Sequence, residues 1–560
     1  MFIPTTRQEL DRLGWASLDV ILVTGDSYVD SSFVGVSVVG HVLLAAGYRV
    51  GIIAQPDLTA PDICRLGEPR LFWGVTGGCI DSMVANYTAT KRPKRKDDMT
   101  PNGRNDRRPD RAVIVYANLI RHHFKNTSPI VLGGVEASLR RVAHYDYWSD
   151  VVRRSILFDA KADILVYGMA ERTVVELAKR LCEGRDVADL RGICSIANEQ
   201  PPGAIELPAF EIVKQDKRAF TEMFHTFYQN CDPHTAKTLC QQQDTRFLVQ
   251  NPPAEYLTSQ ELDDVHSLPF ENAQHPYYRQ LGQVRALETI RFAIATHRGC
   301  YGECNFCSIA VHQGRTVRWR SEQSIVGEAE RLTQHCDFKG YIQDVGGPTA
   351  NTYGYECRKK IARGSCEDRR CLFPEICPSL PIDHSKQRAL LKRLRQIKGM
   401  KAVFVASGIR HDLVIADRKH GRSYLRDVVR YHTSGQIKIA PEHTQDHVLA
   451  RMGKTGGRTL LQFRDLFFKL TRAAGKKQYL TYYLIAAHPG CSEGDMFALR
   501  DFAARQLKIT PRQVQIFTPT PSTYSSLMYY TETDPFTGEA LFVEKNPAKM
   551  QRQKDILLKR

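Results

Sequence analysis

The sequence predicts an α/β protein with an N-terminal doubly wound parallel-sheet (Rossmann-like) domain, then a partial (βα)6 barrel, then a C-terminal extension. Three observations support this prediction. Short apolar runs alternate with helical stretches, several of those runs end in glycine, and 560 residues are too many for one hydrophobic core. The expected boundaries are 1–205 for the first domain, 206–288 for a connecting region, 289–525 for the barrel with an insertion at 350–380, and 526–560 for a basic extension.

In the first domain, apolar runs predict the strands 20–24, 50–54, 112–116, 129–132 and 162–167. The first and the last two of these lead into glycine, at Gly25, Gly133 and Gly168. Strands that end in glycine before a helix are typical of an open parallel sheet, whose ligand edge lies at the strand ends. Between 206 and 288, turn residues are frequent and no periodicity is visible, so this segment is predicted to connect the two domains.

The barrel is predicted from six further strand-like runs, at 290–296, 340–345, 402–406, 436–440, 479–485 and 514–517. In such barrels the functional groups lie on the loops that follow the strands. The chain then ends in a basic stretch, 546–560, that is predicted to be helical.

The composition argues against a membrane protein and against a secreted protein. The chain is 42% hydrophobic, and its most apolar stretch, 33–54, is interrupted by polar residues, so no membrane span is expected. The N-terminus lacks the pattern of a signal peptide, and fifteen cysteines without a secretory framework favour a reducing compartment, so a cytoplasmic location is predicted.

The formal charge of +17 favours a polyanionic partner such as nucleic acid. The densest basic run is 91–96, followed by Arg104, Arg107, Arg108 and Arg111. This run is expected to form a mobile, solvated loop, which either contacts a polyanion or only keeps the protein soluble.

Cys300, Cys304 and Cys307 lie on one short loop directly after the first barrel strand. Three thiolates with this spacing can hold three irons of a [4Fe-4S] cluster and leave the fourth iron open. Zinc is the alternative, with His297 or His312 as the fourth ligand. A disulfide explains the group less well, because the cysteine count is odd.

The cysteine loop resembles that of the radical S-adenosylmethionine (radical SAM) enzymes. The resemblance implies that the open iron chelates S-adenosylmethionine (SAM), and that an electron from the cluster releases a 5′-deoxyadenosyl radical. Phe306 is then expected to shield the cluster from water. Gly346 and Gly347 correspond to a glycine pair that approaches the methionyl amine, although Pro348 stands where many of these enzymes have an acidic residue. An ordinary turn is the alternative for this pair.

The segment 440–454 resembles a part of the radical SAM methylthiotransferases in which a polar residue contacts the cofactor. Glu442 is the first candidate for this contact, and His443 is the second. Cys491 follows the fifth strand of the barrel, where it either reacts with an intermediate or is a plain buried thiol.

Two further sites are left open. Cys357, Cys366, Cys371 and Cys377 lie in the insertion, where they either bind zinc or an auxiliary cluster or remain free thiols. The segment 133–141 resembles a strand end of cobalamin-associated radical SAM proteins, but the histidine-bearing run that supplies a cobalt ligand is missing.

Several motifs together resemble the YgiQ family of bacterial radical SAM proteins over nearly the whole chain: 85–89, 108–116, 134–141, 144–150 and the cysteine loop. This resemblance implies an iron–sulfur enzyme that cleaves SAM reductively and abstracts hydrogen from a substrate. The implied partners are SAM and a reductant such as flavodoxin or ferredoxin.

The charge and the methylthiotransferase-like segment favour RNA or a ribonucleoprotein as the substrate. A small molecule or a protein is the other substrate class considered. The alternative outside catalysis is an RNA-binding or redox-sensing protein whose iron–sulfur or zinc site does not turn over.

Overall fold

A computed structural model describes residues 1–558, which form two compact units. The first unit comprises 1–257, 264–291 and 520–522. The second comprises 258–263, 292–519 and the chain from 523 onward. None of the helices within residues 1–558 is both long enough and apolar enough to cross a bilayer.

The strands of the first unit are β1 (Val20–Thr24), β2 (Val29–Asp30), β3 (Val50–Ala54), β4 (Phe72–Thr76), β5 (Ile130–Gly133), β6 (His144–Asp146), β7 (Val151–Arg153), β8 (Ile164–Val166), β9 (Ile193–Ala197), β10 (Ile205–Leu207), β11 (Leu239–Gln243), β12 (Arg246–Gln250) and β13 (Ala273–Gln274). Nine of them form one sheet in the order β10-β11-β12-β9-β8-β5-β4-β1-β3. The five strands β3, β1, β4, β5 and β8 pair in parallel, whereas β9 and β12 run antiparallel to their neighbours. Central strands such as β1 and β3 are buried along their whole length, which matches their continuous apolar sequence.

The helices up to residue 290 are α1 (Arg7–Arg12), α2 (Gly35–Ala45), α3 (Ser82–Asn86), α4 (Ala112–His123), α5 (Gly134–Leu139), α6 (Ile156–Asp159), α7 (Glu171–Cys182), α8 (Phe210–Gln215), α9 (Lys217–Gln229), α10 (Ser259–Ser267), α11 (Pro276–Arg279) and α12 (Leu287–Ile290). The segment 206–288, predicted as a connection, contributes strands β10 to β12 to the sheet, and β13 pairs with β2.

The predicted strand at 112–116 is wrong, because these residues begin helix α4. The buried positions Ala112, Val113, Tyr116 and Ile120 recur three and four residues apart, which is the period of a helix with one buried face. A short run of β-branched residues fits either element, and here the helical period continues beyond it.

The basic segment 91–111 is not a wholly solvated loop, and that expectation is wrong for Arg108. The Arg108 guanidinium is buried, 2.7 Å from the Asp26 carboxylate and 2.9 Å from that of Asp97. Its Nη1 also donates to the carbonyl of Gly77. The neighbouring cations of the segment are exposed, namely Lys91, Arg92, Arg95, Lys96, Arg104 and Arg107.

The strands of the second unit are β14 (Ala293–Ala295), β15 (His297–Arg298), β16 (Arg318–Trp319), β17 (Tyr341–Ile342), β18 (Asp344–Gly346), β19 (Ala402–Val403), β20 (Gln436–Glu442), β21 (Tyr479–Ala486) and β22 (Gln513–Ile516). Parallel pairs join β14 to β18, β17 to β19, β20 to β21 and β21 to β22. A parallel bridge between Ile409 and Ile439 links the chain after β19 to β20. β15 and β16 instead pair in antiparallel fashion. Because β17 and β18 belong to one run, 341–346, the parallel runs 293–295, 341–346, 402–403, 436–442, 479–486 and 513–516 lie side by side in sequence order.

The helices of the second unit are α13 (Ile309–His312), α14 (Glu322–Thr333), α15 (Arg358–Arg363), α16 (Ser385–Leu394), α17 (His411–Ala416), α18 (Gly421–Tyr431), α19 (Asp446–Arg451), α20 (Arg458–Ala473), α21 (Glu493–Phe502), α22 (Tyr524–Thr531) and α23 (Pro547–Leu558). Apolar faces of α14, α16, α18 and α20 pack with the buried strand residues in one core. Because these strands are parallel, the loops that follow them lie at one end of the unit, where the candidate site lies.

Candidate functional site

The cysteine loop follows β15 and ends at α13. Gly302 lies between two of its thiols, and its amide donates to Cys300 Sγ at 3.3 Å. A Cβ at position 302 would lie 3.3 Å from Cys300 Sγ and 3.5 Å from Cys304 Sγ. Glycine therefore keeps the space between these two sulfur atoms clear.

The three loop thiols do not form a compact single-ion site. Zinc–sulfur bonds of about 2.3 Å place the sulfurs of one tetrahedral ion roughly 3.8 Å apart. Within residues 1–558, the only group with three ligand atoms inside 4.8 Å of one another is the partly exposed His335, Cys336 and Asp337. The three loop thiols therefore do not all lie within 4.8 Å of one another, which does not match the ligand sphere of a single tetrahedral zinc ion.

His297 is engaged on both ring nitrogens. Its Nδ1 lies 2.8 Å from Thr296 Oγ1, and its Nε2 lies 2.8 Å from Thr352 Oγ1. Burial lowers the pKa of His297 to about 4. Because both ring nitrogens are hydrogen-bonded, neither is free to bind zinc, which argues against His297 as a fourth zinc ligand. His312 ends helix α13.

A largely buried arginine, with 12% of its side chain exposed, contacts the cysteine loop. Arg410 Nη1 lies 3.9 Å from Cys304 Sγ, and Arg410 Nε donates to Asp412 Oδ1 at 3.0 Å. Burial raises the pKa of the Cys304 thiol, while the charges of Lys454 and Arg410 act to lower it. Burial also raises the pKa of Cys307 to about 12. These thiols therefore need cationic or metal partners to ionise.

The predicted glycine pair lies next to the cysteine loop. The Gly346 carbonyl at the end of β18 accepts from the Thr296 amide at 2.7 Å. A Cβ at Gly347 would lie 2.6 Å from the His297 ring. Two residues later, Thr349 Oγ1 lies 3.4 Å from Cys300 Sγ. The backbone at this strand end is thus packed against the thiols.

Glu442 ends β20 in the left-handed region, with φ of 67° beside a register shift in the strand. Its Oε1 lies 3.4 Å from Lys454 Nζ, and the Lys454 ammonium also donates to the carbonyl of Ala440. The Glu442 charge contributes to raising the pKa of both Cys304 and Cys307. Glu442 therefore lies within electrostatic range of the loop.

His443 and Cys491 contact each other in the core. His443 Nε2 lies 3.7 Å from Cys491 Sγ, and the buried thiol also contacts Met496 and Gln553. Burial lowers the pKa of His443 to about 4 and raises that of Cys491 to about 12. This packing favours the plain buried thiol for Cys491. Phe306 is partly buried, with its ring 6.4 Å from that of His488.

The insertion at 350–380 contacts the cysteine loop through the side chains of a lysine and an arginine. Lys360 Nζ donates to Glu303 Oε1 at 3.1 Å, and it lies 3.6 Å from Cys371 Sγ. Arg370 Nη1 donates to the Glu303 carbonyl at 3.1 Å and to Asn305 Oδ1 at 2.6 Å. The insertion thus fixes the chain between Cys300 and Cys307.

The four insertion cysteines do not form a compact metal site. Cys357 packs with Tyr301 and Leu372 in a small apolar core, and Cys371 lies at its margin. No three of these four sulfur atoms, all in the described part of the chain, lie within 4.8 Å of one another. A single zinc ion is therefore not supported by this arrangement.

In the first unit, the segment 133–141 takes part in internal ion pairs. Arg140 is buried and paired with Asp81, and Glu136 accepts from the Ser82 amide. A Cβ at the strand-end Gly77 would lie 2.3 Å from Glu136 Oε2. The space left by this glycine is thus filled by the chain itself.

Sequence reasoning did not place Thr349, Arg410 and Lys454 beside the thiols. Each comes from a segment remote from the cysteine loop in sequence, and the cations are a few among 78 lysines and arginines. One local pattern could have pointed to Arg410. It stands two residues before Asp412, shortly after β19, and an arginine this close to an aspartate can form an ion pair.

Comparison with known proteins places these features in a family context. The family described as Radical SAM N-terminal matches residues 2–293. The UPF0313 protein FN0734 of Fusobacterium nucleatum is 54% identical over 558 residues, which is 99% of this chain and 98% of that protein. The UPF0313 protein of Thermotoga maritima is 47% identical over 100% of this chain and 98% of its own length. That of Methanocella arvoryzae is also 47% identical, over 97% of this chain and 90% of its own length.

Two solved structures share the fold. One is the radical SAM methyltransferase TsrM from Kitasatospora setae with cobalamin and a [4Fe-4S] cluster bound, with a TM-score of 0.51 and 15% identity over 96% of this chain and 85% of that one. The other is the cobalamin-dependent SAM radical enzyme OxsB with aqua-cobalamin bound. Its TM-score is 0.50 and its identity is 14%, and the match covers 93% of this chain and 57% of OxsB. At these identities the likeness establishes a mixed α/β fold with a large parallel sheet.

Proposed function

Because the chain belongs to the UPF0313 family of radical SAM proteins, we propose that it is an iron–sulfur enzyme that cleaves SAM reductively and abstracts a hydrogen atom from a substrate. Cys300, Cys304 and Cys307 would hold a [4Fe-4S] cluster, which would supply the electron for cleavage of SAM to methionine and a 5′-deoxyadenosyl radical. The observation that carries this proposal is the set of three cysteines, Cys300, Cys304 and Cys307, on one loop beside the Gly346–Gly347 strand end.

Cys300, Cys304 and Cys307 would hold three irons of the cluster. Gly302 clears the space between two of these sulfurs, and the Arg410 charge favours the thiolate form of Cys304. Lys360 and Arg370 fix the loop through Glu303 and keep its backbone in place. The three thiols are half-buried, so a cluster there would be partly shielded from water.

Gly346, Gly347 and Glu442 would bind SAM. The Gly346 carbonyl already accepts from the amide and hydroxyl of Thr296, so Gly346 would hold the turn. The Gly347 carbonyl, two residues before Thr349 and its contact with the Cys300 thiol, would accept a hydrogen bond from the SAM ammonium group. The Glu442 carboxylate can accept hydrogen bonds from an amine or from ribose hydroxyls. Its left-handed backbone turns the chain at the end of β20.

We propose a partial (βα)6 barrel at 289–525, built on strands β14 to β22, with the site on the loops after the strands. The preceding chain would form the Rossmann-like domain 1–205 and the segment 206–288, and the extension 526–560 would close the C-terminal side. The sequential parallel pairing of the barrel strands supports this division.

The proposed partners are SAM, a low-potential reductant such as flavodoxin or ferredoxin, and a nucleic acid. Cysteines without disulfide partners favour a reducing compartment such as the cytoplasm. The formal charge of +17 supports an anionic partner.

The test is anaerobic reconstitution with iron and sulfide, reduction with dithionite, addition of SAM and chromatography for 5′-deoxyadenosine. Wild-type protein is expected to form this product, and Cys304→Ala is expected to form none. Cys371→Ala is the matched control, since it removes a neighbouring thiol outside the loop, and it should retain cleavage. Absence of product from a wild-type protein that holds four irons and binds SAM would contradict the proposal.

A further inference from the structure

An exposed aromatic edge lies at the amino ends of the strands in the second unit. Tyr341, Tyr431 and Tyr479 have 45%, 40% and 55% of their surface exposed, and they are the exposed tyrosines among residues 1–558. The remaining tyrosines are buried or half-buried. Exposed tyrosine is thus confined to one part of the described chain.

Strand pairing brings these three side chains to the same edge. Tyr341 opens β17 opposite Ala402, and Tyr479 opens β21 opposite Gln436. Tyr431 ends α18, and the carbonyl of the next residue accepts from the Val405 amide at 2.9 Å. The three tyrosines therefore lie along the amino ends of neighbouring parallel strands.

The same edge is strongly basic. Its cations are Lys339, Arg395, Lys398, Lys401, Arg430, Lys476 and Lys477. In the segments 337–341, 395–404, 430–436 and 476–479, which form the edge, Asp337 is the one acidic residue. We call these tyrosines and cations the tyrosine edge.

Some of the cations are stacked on the rings. Arg395 Cζ lies 3.8 Å from the centre of the Tyr431 ring, and Lys401 Nζ lies 5.8 Å from that of Tyr341. The Tyr341 ring is also stacked on Phe404, at 6.4 Å and 4°. These contacts orient flat rings at the surface and keep positive charge beside them.

We infer that the tyrosine edge binds single-stranded nucleic acid, with phosphates on the cations and bases stacked on the tyrosines. Charge complementarity favours a polyanion, and an exposed set of flat rings favours one that carries stackable bases. An acidic protein could form ion pairs with the cations, but its carboxylates would not stack on the three exposed rings.

The tyrosine edge lies at the opposite strand ends from the cysteine loop. β21 runs eight residues from Tyr479 to Ala486, which at about 3.3 Å per residue is roughly 26 Å. The edge therefore anchors the polymer away from the thiols, and its binding does not require a cluster. Only the further step, in which the bound polymer is the substrate, rests on the proposed function.

The test uses the full chain without reconstitution and measures fluorescence anisotropy with labelled oligouridine and oligothymidine at several salt concentrations. Tyr431→Ala/Tyr479→Ala is expected to weaken binding by about tenfold or more for each stacked base lost. Tyr431→Phe/Tyr479→Phe should restore it, because phenylalanine keeps the stacking face. Lys398→Glu/Lys477→Glu should reduce the slope of log affinity against log salt by about 1.4, from two lost phosphate contacts.

The matched control is Lys91→Glu/Arg92→Glu, the same charge change on the exposed basic segment of the first unit. It should bind as wild type does, and circular dichroism should show every variant folded. The inference is overturned if wild type binds neither oligonucleotide at low salt, if the tyrosine-edge variants bind normally, or if only the control loses binding. Equal affinity for both oligonucleotides would support binding through stacked bases. Tighter binding of oligouridine would indicate that the tyrosine edge also contacts the ribose 2′-hydroxyl.

Discussion

Arg410 Nη1 lies 3.9 Å from Cys304 Sγ, and the Arg410 guanidinium is at the same time paired with the buried carboxylate of Asp412. Burial alone would disfavour both charges, but the neighbouring guanidinium holds the pKa of Asp412 below its ordinary value. The cysteine loop therefore lies against an ion pair that the segment after β19 supplies.

The first prediction concerns this ion pair. Arg410→Gln is expected to reduce the free energy of unfolding by about 3–5 kcal/mol, because it leaves the Asp412 charge buried without a partner. Urea denaturation of the protein measures the change. Arg410→Gln/Asp412→Asn is the control, and it should recover part of the loss. A double variant that is as unstable as the single one would contradict the role of the pair.

The second prediction concerns Gly302. In Gly302→Ala, the new methyl group would lie 3.0 Å from Arg410 Nη1 and close to two sulfurs, so iron retention after reconstitution should fall sharply. Iron analysis of the purified protein measures this. Gly327→Ala lies in helix α14, where the new methyl would have its nearest neighbour at 3.8 Å, and it should retain iron. Equal iron content in both variants would show that the space at 302 is not needed.

The third prediction concerns Glu442. Glu442→Gln should retain the cluster but bind SAM about tenfold more weakly, because a charge-assisted hydrogen bond is replaced by a neutral one. Equilibrium dialysis with labelled SAM measures the affinity. Glu322→Gln, at a partly exposed residue that pairs with Arg393, is the matched control and should bind normally. Unchanged affinity in Glu442→Gln would remove this residue from the cofactor site.

The fourth prediction concerns pH. Burial lowers the pKa of His432 to about 4 and that of His144 to about 4. In the unfolded chain the same imidazoles have a pKa of about 6.5. Below that pH the unfolded chain binds more protons than the folded one, so the folded state loses stability as the pH falls from 6.5 toward 4. The urea midpoint should therefore decrease between pH 7 and pH 5.

His432→Asn tests the pH prediction at one residue. The asparagine amide can still donate to the Val403 carbonyl, which now lies 2.8 Å from His432 Nδ1, but it does not titrate. The variant should show a smaller decrease in urea midpoint than wild type. His234→Asn, at an exposed position, should leave the decrease unchanged, and the same decrease in all three proteins would contradict the assignment to buried histidine.

The sequence predicted the parts of the fold and site that depend on local pattern. The spacing of Cys300, Cys304 and Cys307 and the continuous apolar strands such as 20–24 are local signals, and the structure contains both elements. The segment 112–116 was mispredicted because five apolar residues do not distinguish a strand from a helix whose period extends to residue 123.

The rest depends on contacts that local pattern does not encode. Arg108 stands in a basic run, yet it is buried because Asp26 and Asp97 come from elsewhere in the chain to neutralise it. Likewise, Lys360 meets Glu303 from 57 residues away. Only the folded arrangement distinguishes such cations from the solvated majority.

The most direct test of the central claim is to count iron and sulfide per chain after anaerobic reconstitution and to record the electron paramagnetic resonance spectrum of the reduced protein with and without SAM. We predict about four irons and four sulfides per chain, as a cubane cluster contains, and a spectrum that changes when SAM binds the open iron. Zinc in place of iron, or a cluster whose spectrum is unaffected by saturating SAM, would contradict the account.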